Sequence, residues 1–300
     1  MAAIALAASL LTACDVAPAS ADPDNARCNS PVVTVRDARS LADHIEMAVK
    51  FTCEGAMQSG TVYLPTSPGQ HPAAVWVHGK GPAMHLAFAA PVVTGLVRAG
   101  VAVLSYDKRG VGQSQGVCCP GDHQHFNLLA ADAVGAVNAL RTLSGVDPRR
   151  VGLVGEGQAA WVSAVAAARS PSISFLAIAD GPTVSNGEAL LYRLLTGEEG
   201  GGGGVLSQRA IEYRLKQIGR IGFDPLPFLR QVSIPSLWLY GLKDKSIPVD
   251  DCIGILKQLR LDGERITIRS FPNASRGLLD DPPSDPDALP ALVQWLVGRA

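Results

Sequence analysis

Apolar residues along the chain follow two different periods, and their alternation indicates the fold class. From Ala73 onward, short and almost unbroken apolar runs are each followed by a longer stretch in which apolar residues return every three or four positions. The first pattern is typical of buried parallel strands and the second of amphipathic helices. We therefore expect an α/β domain built from βαβ units.

The elements that this alternation predicts cover most of the chain. The predicted strands are Gly60–Leu64, Ala73–His78, Val101–Asp107, Val151–Gly155, Phe175–Ala179, Ser236–Gly241 and Ile266–Phe271. The predicted helices are His85–Arg98, Asn127–Leu143, Gln158–Ala168, Asp250–Leu259 and Asp287–Val297. Val49–Gly60 is expected to belong to an antiparallel hairpin that leads into the sheet.

A long insertion, Gly181–Val232, interrupts the alternation before the last two strands. It contains two helical patterns, Gly187–Leu195 and Leu206–Gly219, with the glycine-rich stretch Gly197–Gly204 between them. Because glycines offer no side chains to pack, we predict a helical cap or lid on a domain that spans residues 31–300. A phosphate-binding loop is disfavoured, since no strand precedes the glycines and no Lys-Ser/Thr pair follows them.

The N-terminus has a pattern of its own. Ile4–Ala13 is apolar but too short to span a bilayer, and Cys14 follows it directly. Small residues before a cysteine resemble a bacterial lipoprotein signal, although no Lys or Arg precedes the run, and a buried helix is the alternative. Residues 15–30 are rich in Ala, Pro, Asp and Ser. We expect residues 1–14 to be a signal peptide, residues 15–30 a tether, and the protein an extracytoplasmic lipoprotein or a secreted protein.

The net charge and the cysteine content limit the functions and the disulfide pairings that we expect. The formal net charge of −1 provides no basic field for nucleic acid, and no cofactor is expected. Export favours disulfides, and Cys28 with Cys53 is the preferred pair because both lie in the N-terminal segment. Five cysteines follow Cys14, so one thiol is left over or pairs elsewhere.

Three segments in succession resemble the α/β-hydrolase superfamily, particularly its bacterial esterase, thioesterase and serine-aminopeptidase-like branch. Val75–Pro82 (VWVHGKGP) resembles the family's strand and oxyanion loop, and Tyr106–Ser114 (YDKRGVGQS) resembles its YDKRGxGxS loop. Val146–Gly155 (VDPRRVGLVG) resembles the approach to the nucleophile elbow. The resemblance covers most of Thr61–Arg299 and implies an α/β-hydrolase fold, in which helices flank a mostly parallel central sheet.

The resemblance fails at two of the three catalytic positions. The family's elbow is G-x-S-x-G, whereas Gly155–Ala159 reads GEGQA and places Gly157 where the serine belongs. Asp244, in GLKDKSIP, matches the family's acid. Arg276, in PNASRG, stands at the histidine position, and an arginine remains protonated and cannot act as a general base. The implied triad is degenerate.

Two further interpretations follow from these positions. Asp244 and Arg276 are expected to form a salt bridge in place of the Asp–His couple. Ser114 satisfies G-x-S-x-G by letter, but no helix follows it, so we interpret its hydroxyl as ordering a glycine-rich loop.

Several residues could supply substitute chemistry. Cys118 and Cys119 lie close in sequence to His123 and His125. Together these residues could form a Cys–His nucleophile or contribute to a zinc site. A structural role of the cysteines, in a loop or a disulfide, is favoured over both. Glu156, beside the empty nucleophile position, is a candidate general acid or base; its alternative is a carboxylate stabilised at a helix N-terminus.

The degenerate triad favours a binding protein over a seryl hydrolase. Backbone N–H groups at Lys80 and Gln158 would still form an oxyanion hole, which could bind a small carboxylate or phosphate. The alternatives are an active ester or thioester hydrolase or lyase that uses substitute residues, and a structural protein of the cell envelope. The sequence predicts neither the substrate nor the oligomeric state.

Replacing Cys14 by Ser tests the lipid anchor. Serine has no thiol to carry a lipid, so the variant is expected to move from the membrane fraction to the soluble fraction in immunoblots of fractionated cells. A variant retained in the envelope to the same extent as the wild type would contradict lipid attachment.

Overall fold

A computed structural model describes Cys28 and residues 33–85, 89–198 and 206–298. The predicted signal peptide, the lipidation site Cys14 and all of the predicted tether except Cys28 lie outside these residues. Most of the glycine-rich stretch, residues 199–204, also lies outside them.

In the described part of the chain, nine strands form one sheet in the order β1-β2-β3-β5-β4-β6-β7-β8-β9. The strands are β1 (Val33–Ser40), β2 (His44–Cys53), β3 (Ala56–Pro65), β4 (His71–Val77), β5 (Ala102–Tyr106), β6 (Val146–Glu156), β7 (Leu176–Ala179), β8 (Ser236–Gly241) and β9 (Ile266–Phe271). Strands β4 to β9 run parallel to their neighbours, while β1, β2 and β3 form an antiparallel meander that joins β5. The mostly parallel sheet and the lead-in hairpin are confirmed.

Helices cover both faces of this sheet. They are α1 (Ala90–Arg98), α2 (His123–Arg141), α3 (Ala159–Arg169), α4 (Asn186–Thr196), α5 (Gln208–Ile218), α6 (Leu226–Leu229), α7 (Val249–Leu261) and α8 (Ala288–Val297). The apolar sides of α1 and α8 pack into one buried cluster, and those of α2, α3 and α7 pack into the other. Two hydrophobic cores on opposite faces of a sheet are the expected result of βαβ connections.

The described boundaries differ from the predicted ones where local chemistry outweighs the apolar pattern. Strand β1 was not predicted, because its side chains are largely exposed and include several charged residues. Helix α1 begins at Ala90 rather than His85, and Pro91 lies in its first turn, where proline is favoured. Helix α2 begins at His123 rather than Asn127, because the Asp122 side chain caps it by accepting from the His125 N–H.

The two predicted helices of the insertion are present as α4 and α5. They pack on each other through a small separate apolar cluster that includes Tyr192, Ile211 and Leu215. Ser185 and Glu188 form a reciprocal capping box at the start of α4. The insertion is therefore a small helical cap attached to the main domain.

The cysteines are paired largely as predicted. Cys28 is bonded to Cys53, so the N-terminal segment is tied to the end of β2. Cys118 and Cys119 form a disulfide between adjacent residues. Cys252 is the free thiol among the described residues, and it is buried. No helix in the described ranges has the length and apolar character needed to cross a membrane.

A buried ion pair connects the loop after β5 to the centre of α2. Arg109 Nε donates to one carboxylate oxygen of Asp132 at 2.8 Å and Nη2 donates to the other at 2.5 Å, while Nη2 also donates to the Cys53 carbonyl. Asp132 is fully buried and Arg109 is 3% exposed. Breaking such a pair leaves a charge in the core without its partner, which is strongly destabilising.

Replacing Arg109 by Met is expected to lower the free energy of unfolding by about 3–5 kcal/mol, because Asp132 then remains buried without a counter-charge. Urea denaturation measures this loss. The matched control is Arg220→Met, which removes a partly exposed ion pair to Asp224 and should cost less than about 1 kcal/mol. Equal losses in the two variants would contradict the importance of the buried pair.

Candidate functional site

The turn between β6 and α3 has the geometry of a nucleophile elbow without a nucleophile. Gly157 has a φ of +57°, a conformation that side chains rarely adopt, and a Cβ built there would meet nothing within 4 Å. Gly155 is needed for a different reason: a Cβ there would lie 2.4 Å from the Ala159 Cβ and 2.6 Å from the Val77 carbonyl oxygen. The turn therefore brings α3 close to the sheet and leaves open space where a catalytic side chain would stand.

Lys108 holds the oxyanion loop against this turn. Its ammonium group donates to the carbonyls of Gly79 and Gly81 and to the Gln158 side-chain oxygen, at 2.9–3.0 Å. The residue is only 2% exposed, and burial lowers the pKa of its ammonium group to about 8. The predicted oxyanion positions Lys80 and Gln158 thus belong to two segments that are joined by one buried side chain.

The predicted salt bridge between Asp244 and Arg276 is wrong. Asp244 is 4% exposed; its Oδ1 accepts from the Ser246 N–H, and its buried Oδ2 has no hydrogen-bond partner. Arg276 is exposed and makes no ion pair with Asp244, although its charge opposes the effect of burial, which raises the Asp244 pKa. The arginine lies in the loop after β9, where water solvates the guanidinium at lower cost than burial against the acid would.

Asp180 positions the loop that carries Arg276. It directly follows β7 with a φ of +46°. Its carboxylate accepts from the backbone N–H groups of Gly277 at 2.9 Å and Leu278 at 3.0 Å, and from Gly241 at 3.3 Å. Burial raises the pKa of this carboxyl to about 7. Asp180 therefore joins the ends of β7 and β8 to the loop after β9.

A cavity of about 840 Å³ opens above the elbow. Among the predicted site residues, Lys80, Cys119, His125, Glu156, Gly157, Gln158 and Arg276 line it. Its apolar lining includes Phe126 and Trp161, and Leu190 of α4 contributes from the cap. The volume suits a small organic molecule, and the wall combines aromatic rings with polar groups at the sheet edge.

Carboxyl groups at one side of the cavity are less negative than their formal charges indicate. Glu156 ends β6, and its pKa is raised to about 8, first by burial and then by the charges of Asp180, Asp280 and Asp244, while Arg276 opposes the rise. A carboxyl group with such a pKa carries a proton at neutral pH and can donate a hydrogen bond.

The cysteine and histidine candidates separate in the structure. Cys118 and Cys119 are bonded to each other and so present no thiolate, and His123 packs its ring against Phe223. His125 lines the cavity, is 3% exposed, and has a buried Nε2 without a hydrogen-bond partner. No group of three or more His, Cys, Asp or Glu residues within the described ranges is placed to hold a metal ion.

Ser114 has the structural role that was predicted for it. Its hydroxyl donates to the Asp107 carbonyl at 2.6 Å and accepts from the Ser59 N–H at 3.0 Å. It orders the loop between β5 and α2 and is not at the elbow. His78, at the end of β4, donates through Nε2 to the Tyr106 carbonyl, and burial lowers its pKa to about 4, so it is a neutral packing group.

Several solved structures with the same architecture are esterases. An acetyl xylan esterase from Paenibacillus sp. R4 is 15% identical, with a TM-score of 0.67 and coverage of 92% of both chains. Acetyl xylan esterase 1 from Thermoanaerobacterium sp. JW/SL YS485 is 18% identical, with a TM-score of 0.63 over 91% of this chain and 92% of that one. An esterase from Pyrococcus furiosus is 16% identical, with a TM-score of 0.64 over 88% and 92%. At sequence identities this low, the structural similarity shows a shared fold and does not show a shared activity.

A sequence family supports the same assignment. The family described as serine aminopeptidase, S33, matches residues 70–197, which include the oxyanion loop and the elbow. The chain has the α/β-hydrolase fold. The family match spans less than half of the chain, so membership of a particular branch stays a prediction. No curated protein sequence is similar enough to count as a relative.

Three residues at or near the site had no role in the sequence interpretation. They are Lys108, Asp180 and Asp280. Lys108 and Asp180 each follow the end of a buried parallel strand, and the carboxyl ends of such strands are where ligand sites form in open α/β sheets. Their position after a strand could have marked Lys108 and Asp180 as site residues in the sequence. Their hydrogen bonds could not be predicted, because the partners lie in loops that are distant in the sequence.

Replacing Lys108 by Met tests its role in holding the oxyanion loop. The variant loses three charge-assisted hydrogen bonds, and its free energy of unfolding should fall by about 1–3 kcal/mol in urea denaturation. The control is Lys243→Met, which removes an exposed hydrogen bond to Asn273 and should change stability by less than about 0.5 kcal/mol. Similar values for both variants would show that the buried ammonium does not organise the loop.

Proposed function

We propose that this α/β-hydrolase is an exported small-molecule binding protein in which the seryl triad is catalytically degenerate. The observation that carries the proposal is Gly157: the elbow is formed, but no oxygen stands at the nucleophile position. Arg276 at the histidine position removes the general base as well.

The size of the expected catalytic loss supports binding over hydrolysis. Removing the serine or the histidine of such a triad costs about a millionfold in turnover, and what remains comes from the oxyanion hole and binding. The esterase activities of the structural neighbours belong to those proteins, so they do not restore the two groups that this chain lacks.

A small anion is the ligand that the remaining groups favour. The N-terminus of α3 begins directly after Gly157 and Gln158, which line the cavity, and the helix dipole favours negative charge there. Lys80 and Arg276 line the same cavity and add positive charge. A carboxylate or phosphate group would be attracted to this region.

Two disulfides support the proposed extracytoplasmic location. Disulfides such as Cys28–Cys53 and Cys118–Cys119 form and persist mainly in oxidising compartments, and they agree with a lipoprotein signal that ends at Cys14. Whether the chain is lipid-anchored or secreted is decided by the Cys14→Ser experiment.

A short-chain p-nitrophenyl ester panel tests the proposed loss of hydrolysis. We expect no turnover by the purified wild type above a heat-treated control, and measurable turnover by Gly157→Ser/Arg276→His. The open space at Gly157 admits the hydroxymethyl group, and the unpartnered Asp244 Oδ2 can accept from the introduced imidazole. Release of nitrophenolate is followed spectrophotometrically.

The two single variants are the controls. Each still lacks one member of the triad, so each should be at least about a thousandfold slower than the double variant. Circular dichroism checks folding, because a serine at a φ of +57° costs about 1–2 kcal/mol. Turnover by the wild type would overturn the proposal and direct attention to Glu156, and a folded but silent double variant would contradict the retained triad geometry.

A further inference from the structure

We propose that the ligand of the cavity is a monocarboxylate, held between the N-terminus of α3 and the side chain of Glu156, which donates a hydrogen bond to it. This inference rests on the proposed binding function and selects one of the two anion classes that the function admits.

Glu156 is placed to contact a ligand at the elbow. It is the last residue of β6, pairs with Ala179 of β7, and precedes Gly157 and Gln158 directly. It lines the cavity, and within the described part of the chain no protein group forms a hydrogen bond or an ion pair with its carboxyl. Its side chain therefore has hydrogen-bonding capacity that only a ligand or solvent can satisfy.

The charged and titratable groups that act on Glu156 come from three parts of the fold. Asp180 follows β7, Asp244 follows β8, and Arg276 and Asp280 lie in the loop after β9. The other such groups on the cavity wall are Lys80, His125, Arg193 and Glu198. Because burial and three neighbouring carboxyls together raise the Glu156 pKa to about 8, the proton stays on Glu156 at neutral pH.

A second group on the cavity wall lacks its polar partner. His125 Nε2 is buried and unpartnered, and the nearby Lys108 charge helps burial to lower the His125 pKa, so its ring is neutral at pH 7. His125 lines the same cavity as Glu156 and Gln158 and feels the charge of Lys108, which is hydrogen-bonded to Gln158. A neutral imidazole can donate one hydrogen bond to a ligand oxygen.

The arrangement distinguishes a carboxylate from a phosphate dianion. A protonated carboxyl and a carboxylate share one short, charge-assisted O–H···O hydrogen bond, so the ligand's single charge is stabilised. A phosphate dianion would bring a second negative charge towards Glu156, Asp180 and Asp280. Phe126, Trp161 and Leu190 provide an apolar wall for the organic tail of a monocarboxylate.

Isothermal titration of the purified protein with hexanoate tests the inference. Hexanoate is ionised at both pH 6 and pH 9, whereas Glu156 changes from protonated to ionised between them. Wild-type affinity should therefore be present at pH 6 and fall about tenfold by pH 9, given a pKa of about 8. Hexyl phosphate should bind more weakly than hexanoate at pH 7, where its phosphate is mainly the dianion and Glu156 still holds its proton.

Replacing Glu156 by Gln separates this role from a general electrostatic effect. The amide donates a hydrogen bond at every pH, so hexanoate affinity should stay within about threefold of the wild type at pH 6. Its decline to pH 9 should be smaller than that of the wild type, because Lys108 and Asp180 still lose protons near the site whereas residue 156 does not. The matched control is Glu212→Gln on the exposed side of α5, which should keep the wild-type pH dependence. Thermal unfolding checks that both variants are folded.

Three results would overturn the inference. They are wild-type hexanoate affinity that does not change with pH, hexyl phosphate binding as tight as hexanoate at pH 7, and no hexanoate binding by folded wild type at either pH 6 or pH 9. None of these affects the proposed loss of hydrolysis, which fails only if the wild type turns over esters. The two proposals are therefore tested separately.

Discussion

The buried ammonium group of Lys108 sets the geometry of the cavity, because a charge removed from water has to be surrounded by acceptors. The available acceptors are two carbonyls of the oxyanion loop and the side-chain oxygen of Gln158 at the start of α3. The loop after β4 and the turn after β6 are consequently held at a fixed distance from each other. This contact does not involve the side chains at positions 157, 244 and 276, so the end of the cavity at the start of α3 is held in place without them.

The opposite wall depends on Asp180 in a comparable way. Its carboxylate accepts hydrogen bonds from the N–H of Gly241 at the end of β8 and from the N–H groups of Gly277 and Leu278 in the loop after β9. The ends of β7 and β8 and this loop therefore meet at one side chain. This arrangement keeps the loop in place even though Arg276 is exposed and Asp244 retains an oxygen without a hydrogen-bond partner. The frame of a triad is thus maintained by residues outside the triad.

Much of the fold could be predicted from sequence because its strands are buried on both faces and read as unbroken apolar runs. Strand β1 could not, since an edge strand with exposed Arg36 and Arg39 has no such run. Gly157 and Arg276 were identified from their motif positions, which depend only on neighbours in the chain. The missing Asp244–Arg276 contact and the roles of Lys108 and Asp180 depend on how distant loops approach each other, and no local pattern encodes that.

The disulfide between Cys28 and Cys53 closes a covalent ring around β1, which lies between the two bonded residues. An exposed edge strand is ordinarily the part of a sheet that can peel away and insert into a second molecule. Here β1 can separate from β2 only as far as the closed loop allows, and it cannot leave with a free end. Exchange of this strand between two copies of the protein, and fibre growth from this edge, are therefore restricted by chain topology.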